Sequence, residues 1–268
     1  MRLDSHSGEG GGYVKTILAR LLLTVALVVF LPRVAGAYWE LPDALPPDEF
    51  GNILINRISA GKGVKAVSFS HWVHRRKHTC RVCHFELEFN MQANSTEITD
   101  ASIRAGRHCG AAGCHDGTTV FGNDTPNCGK CHNGDRGYGK EKFTALAKFP
   151  TSLFGNRINW VAAEKRGLIS PVKYLTIKPS EDVVVVPPLT LEAAWNNIPS
   201  AVFPHKAHAA WLDCNNCHPD IFNIKKKTTK HFSMERILQR EFCGVCHMTV
   251  AFPMSDCKRC HPDKRVRE

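Results

Sequence analysis

Cys214-Asn-Asn-Cys217-His218, Cys243-Gly-Val-Cys246-His247 and Cys257-Lys-Arg-Cys260-His261 set a histidine directly behind each closely spaced cysteine pair. The same device stands earlier in the chain as Cys80-Arg-Val-Cys83-His84, Cys109-Gly-Ala-Ala-Gly-Cys114-His115 and Cys128-Gly-Lys-Cys131-His132. Together these six sites use all 12 cysteines of a 268-residue chain. C-x-x-C-H is the attachment motif of c-type haem. Two thiols about one helical turn apart take up the two vinyl groups, and the next residue turns its imidazole toward the iron. With four residues between its cysteines, the Cys109 site needs a bulged loop to bring both sulfurs to one ring. Disulfides would explain the even pairing and zinc ribbons the spacing. Neither explains a histidine after every pair.

Outward from these sites, the pattern repeats. Val67-Ser-Phe69-Ser-His71-Trp-Val-His74 precedes the first three sites, and Ala201-Val-Phe203-Pro-His205-Lys-Ala-His208 precedes the last three. Self-similarity on this scale marks a duplicated structural unit. Residues 69–135 hold three sites in 67 residues, and residues 203–263 hold three in 61. So little chain cannot enclose three porphyrins in a conventional apolar core. The expected fold is therefore a small multihaem cytochrome fold: short α-helices and irregular chain wrapped around haems, with minor β-hairpins, in two tandem triheme modules. The expected boundaries are a signal peptide at 1–37, modules at 38–136 and 201–268, and a haem-free connecting segment at 137–200.

Phe203-Pro-His205-Lys-Ala-His208 followed by three attachment sites resembles the class III multihaem cytochromes c, the cytochrome c3/c7 group, and is most similar to the triheme c7 type. The resemblance implies an electron carrier of the periplasm, not an enzyme, with mostly bis-histidine haems. It further implies that the first histidine of F-x-H-x-x-H ligates the module's first haem and the second histidine the next one. Carried over, His205 serves the Cys214 haem and His208 the Cys243 haem, while His71 and His74 serve the Cys80 and Cys109 haems. His231 suits the Cys257 haem. The proximal ligands are His84, His115, His132, His218, His247 and His261. The first module departs from this pattern, because Glu97 stands where His231 would align. For the sixth ligand of the Cys128 haem, His108 is preferred over His78, with Met91 third.

Lys15 and Arg20 precede an apolar run at residues 21–31, and Ala35-Gly-Ala37 follows. This is a signal-peptide pattern with cleavage expected after Ala37. The run is short for a membrane span of roughly 20 residues, although a retained leader could anchor the protein. The connecting segment lacks Cys and His, yet Trp160, Trp195 and residues 183–186 make it too apolar for a flexible linker. A short helix is expected near residues 159–166, followed by extended stretches docked on both modules. Residues 52–58 and 64–70 are expected to form a hairpin. Lys225-Lys-Lys227 with Lys230 reads as a solvated lysine face rather than a docking patch.

The net charge of +10 would by itself suggest nucleic acid. Each haem brings two propionates, however, so six of them cancel most of this excess. Nucleic acid is therefore not an expected partner. The expected partners are a quinol-oxidising membrane complex and periplasmic or outer-membrane cytochromes. Two alternatives are a multihaem reductase with an open iron at the Cys128 site and a haem subunit of a membrane quinone oxidoreductase complex.

Overall fold

The computed structural model describes residues 41–179, 187–192, 198–222 and 232–263. His6, the leader, residues 183–186, Trp195, the Lys225–Lys230 run and His231 lie outside them. Residues Leu41–Glu268 form one compact unit. Among the described residues no helix is long and apolar enough to cross a membrane.

Each module opens on a two-stranded antiparallel sheet. Strand β1 (Asn52–Ile55) pairs with β2 (Val67–Ser70), matching Ile53 to Phe69. Strand β3 (Leu189–Leu191) pairs with β4 (Ala201–Phe203), matching Leu189 to Phe203. The expected hairpin is thus present, with its strands trimmed by the turn at Gly63 (φ 64°). The connecting segment also supplies β3, so its last residues complete the second module's sheet.

Directly after β2 and β4 come the helices α1 (His71–Arg75) and α5 (His205–Ala209). Phe69 lies edge-on to His71 at 4.8 Å and stacks on His74 at 4.4 Å. Phe203 does the same to His205 at 4.7 Å and His208 at 4.4 Å. The aromatic of F-x-H-x-x-H therefore fixes both imidazoles that follow it.

A second repeated device positions the middle attachment site of each module. Thr99 caps α2 (Asp100–Arg104) in a capping box with Ser102, and Ser233 caps α6 (Met234–Leu238). The chain then reverses through left-handed residues, Gly106 and His108 in one module and Arg240 and Phe242 in the other. Gly110 and Gly244, each following the first cysteine of its pair, are thereby pressed onto the carbonyls of Ile103 and Ile237. A Cβ at either position would overlap that backbone oxygen. Gly244→Ala is expected to cost about 3 kcal/mol or more through overpacking against a backbone atom that cannot yield. Thermal unfolding of the haem-loaded protein measures this, with Gly129→Ala, which meets nothing within 4 Å, as the neutral control.

The connecting segment carries the polypeptide core. Helix α4 (Trp160–Lys165) is capped by Asn159, whose side chain accepts from the Ala162 N–H. This agrees with the helix expected near 159–166. Trp160 and Ala163 join Leu146, Phe149 and Ile169 in one buried cluster with Trp72 of the first module and Trp211 of the second. Extended chain beyond α4 docks as expected on the first module, where Val172 accepts from the Thr79 N–H at 2.9 Å and bridges to His78.

Candidate haem-binding centres

The short elements place the attachment residues where two thiols and one imidazole leave the chain together. Cys83 and His84 lie in a π-helical turn at Val82–Glu86, a wider winding than the α-helix. The last site of each module is a single helical turn, α3 (Cys128–Cys131) and α8 (Cys257–Cys260), with His132 and His261 as the residues that end them. Cys246 and His247 sit on α7 (Gly244–His247). None of the twelve cysteines is paired with another in a disulfide. Among the described residues no group of three or more His, Cys, Asp or Glu could hold a metal ion unaided.

Histidine orientation is the most regular feature of these centres. All six expected proximal ligands donate an Nδ1 hydrogen bond to a backbone carbonyl: His84 to Phe89 (2.7 Å), His115 to Phe121 (3.1 Å), His132 to Lys65 (2.9 Å), His218 to Phe222 (2.6 Å), His247 to Phe252 (2.9 Å) and His261 to Pro199 (2.6 Å). Lys65 and Pro199 each stand four residues ahead of the module's phenylalanine, so the third site is pinned to the same sheet in both repeats. Three expected distal ligands do likewise: His71 to Gly51 (2.8 Å), His74 to Ser70 (2.8 Å) and His208 to Pro204 (3.0 Å). A carbonyl only accepts, so Nδ1 carries the proton and Nε2 is left as the free lone pair. His205 differs: its Nδ1 is buried and has no partner among the described residues.

The imidazoles also face one another. His71 and His84 are 6.5 Å apart between ring centres with only 8° between their planes. His74 and His115 are 6.2 Å apart, as are His208 and His247. Burial holds His71, His74, His84 and His247 neutral. The pKa of His71 is pulled down to about 3, by burial first and then by His84, while those of His74 and His247 fall to about 4 for the same leading reason.

Buried thiols record which sites adjoin. The Cys83 thiol is pushed up to about 12 by burial, then by Cys114, Cys80 and Cys109 beside it. Cys109 is raised by burial and then Cys131, and Cys243 by burial and then Cys260. Across the modules, Cys246 is pushed up to about 12 by burial, then by Cys80 and Cys217. The sites therefore follow in space as Cys128, Cys109, Cys80, then Cys243 and Cys257, with Cys214 beside Cys243.

Of the candidates for the Cys128 site, His108 takes the place that Phe242 has in the second module. Its ring meets Phe89 at 5.3 Å, as Phe242 meets Phe222 at 6.0 Å. Its Nδ1 is 3.3 Å from the Ser102 hydroxyl. His78 is occupied at the docking of Val172, its Nδ1 buried without a partner among the described residues.

The family model for cytochrome c7 and related cytochrome c matches residues 67–133 and 201–262. The two matched regions are the two repeats, each with its F-x-H-x-x-H stretch and three attachment sites. The chain is a multihaem c-type cytochrome with covalently bound haems, and the paired cysteines, the Nε2 lone pairs and the glycine-backed sites fit that cofactor. Among solved structures it is similar to the C-terminal hexaheme fragment of GSU1996, at 26% identity over 79% of this chain and 96% of that one, with a TM-score of 0.26. It is similar also to the dodecaheme cytochrome c GSU1996, at 21% identity over 80% and 75% with a TM-score of 0.28. The N-terminal hexaheme fragment of GSU1996 matches at 21% identity over 80% and 99%, with a TM-score of 0.25. No curated protein matches the chain.

Sequence reading missed three groups of residues. One is the ion cluster at the junction, where Arg81 pairs with Glu86 at 2.6 Å and with Asp213 at 3.0 Å. Another is Arg75, held between Trp160 and Trp211. The third is the Gly110/Gly244 pair, whose repeat at equal offset from Ile103 and Ile237 could have been noticed.

Proposed function

We propose that the chain is an exported, periplasmic electron carrier of the cytochrome c7 type in which six cysteine pairs each attach one haem and most irons are held by two histidines. The observation that carries the ligation is the facing of His71 on His84, His74 on His115 and His208 on His247. With a metal–imidazole bond of about 2.0–2.1 Å on either side, two rings sharing one metal have centres about 6 Å apart. His205 with the Cys214 haem, His231 with the Cys257 haem and His108 with the Cys128 haem complete the assignment.

When bound, each haem supplies a one-electron iron couple. The chain does the rest. Its Nδ1–H donors fix ring orientation and strengthen Nε2 as a ligand. Burial keeps His71, His74 and His247 neutral. The succession of sites sets the route, from Cys128 through Cys109 and Cys80 into the second module at Cys243, then to Cys257 or Cys214. A quinol-oxidising membrane complex as electron source and periplasmic or outer-membrane cytochromes as sink suit an exported carrier. The leader pattern supports export.

The reductase reading rests on the Cys128 site, because His132, like His218 and His261, has no facing imidazole among the described residues and Glu97 stands where the second module has His231. One experiment separates the two. In the haem-loaded protein, His71→Ala is expected to turn one haem of six high-spin and able to bind CO, while the parent binds none. CO or nitrite binding by the parent would favour an open iron and the reductase. An all-low-spin His71→Ala protein would remove His71 from the ligand set.

A further inference from the structure

Arg75 ends the helix that carries both His71 and His74. Its guanidinium carbon lies 5.5 Å from the centre of the Trp160 ring and 5.1 Å from that of Trp211. One indole comes from the connecting segment and the other from the second module, and both are 6% exposed. The Nε of Arg75 is buried and no acceptor among the described residues reaches it. Nor does any described carboxylate pair with it; the two buried at this junction, Glu86 and Asp213, are taken by Arg81. Indole faces satisfy a cation in part, but they leave the buried Nε–H donor unmet. A guanidinium withdrawn from water is tolerated where an anion completes it.

The missing anion has a source within the assembled protein. Arg75 shares its helix with His71, which faces His84 of the Cys80 site, and it lies against Trp211, whose backbone N–H donates to the carbonyl of His208, the residue that faces His247 of the Cys243 site. It therefore stands between the Cys80 and Cys243 sites, and each of those brings in a haem with two propionates. We propose that Arg75 binds a haem propionate at the junction of the two modules and raises the reduction potential of the haem it touches. The inference rests on the six-haem reading. The sign follows from charge: reduction adds an electron to the haem, and a fixed cation beside it stabilises that form. Arg is suited to the task because its planar fork meets a carboxylate with two parallel hydrogen bonds.

Arg75→Met and Arg75→Lys separate charge from packing. The methionine keeps the length and apolar contact between the indoles but removes the charge; the lysine keeps the charge. Haem count by mass comes first, so that a failure of the six-haem reading is seen separately. The potentials of individual haems are then followed by NMR of their methyl groups during a redox titration. Arg75→Met is expected to lower one haem's potential by about tenfold in its redox equilibrium, which is 59 mV for one electron, and Arg75→Lys to restore most of it. A shift at the Cys243 haem or at the Cys80 haem identifies which propionate is held. Unchanged potentials at both, or a lysine variant as displaced as the methionine one, would overturn the proposal. Should Arg75→Met not take up six haems, Arg75→Gln is the uncharged variant to read.

Discussion

Produced without haem attachment, the chain is expected to remain unfolded: coil-like in far-UV circular dichroism, without a cooperative thermal transition, and rapidly cut by protease. Ordering each residue costs roughly 1.5 kcal/mol of conformational entropy, which apolar burial must offset. The apolar residues available for that are few, and their main cluster lies in the connecting segment and at the junction, around Leu146, Phe149, Trp160 and Trp211. Inside the modules, the groups turned inward are imidazoles and thiols, such as His71, His74, Cys83 and Cys246. These groups gain little from meeting each other and much from meeting a porphyrin and its iron. Binding free energy is then folding free energy, as in other small metal-dependent domains. A haem-free chain that melted cooperatively near the temperature of the loaded one would show that the polypeptide core suffices.

Arg81→Ala is expected to destabilise the haem-loaded protein by about 3 kcal/mol, because it breaks a buried ion cluster by removing its one cation. Arg81 has 6% of its side chain exposed, Glu86 2% and Asp213 19%. Arg81 sits inside the Cys80-x-x-Cys83 loop, its N–H donates to the Trp211 carbonyl at 2.9 Å, and its guanidinium reaches Asp213 just ahead of Cys214. A single residue thus ties the first site of one module to the first site of the other. Burial alone would raise the Glu86 pKa, but N–H donors from Thr176, Ile177 and Leu175 hold it below the usual carboxylate value. Glu86 therefore stays charged when Arg81 is gone, and it and Asp213 are left without their shared counter-charge. Differential scanning calorimetry should record a lowered or split transition, and limited proteolysis should begin in the connecting segment. An unchanged melt would mean that the Trp72, Trp160 and Trp211 cluster holds the modules together alone.

The sequence made the sites legible because their chemistry is local. Two thiols and an imidazole need a fixed spacing along the chain, and F-x-H-x-x-H needs one turn of helix after a strand. The strand at Val67–Ser70, the helix at Trp160–Lys165 and the repeated placement of Phe69 and Phe203 follow from such short-range patterns. What the sequence hid is long-range. Arg75 and Arg81 are ordinary basic residues until Trp211 and Asp213, more than a hundred positions later, are folded against them. The order of the sites was hidden for the same reason, since the Cys80 site meets the Cys243 site across a junction that no spacing records. Glycines 110 and 244 are legible only after the helices they abut are known.

The most direct test of a six-haem, two-histidine carrier is a potentiometric titration of the intact loaded protein followed by low-temperature EPR, with haem content fixed by mass. Six attached haems, no free thiol and six low-spin signals that vanish on reduction and return on oxidation are expected. Fewer than six haems, or a high-spin signal that shifts when CO or nitrite is added, would contradict it.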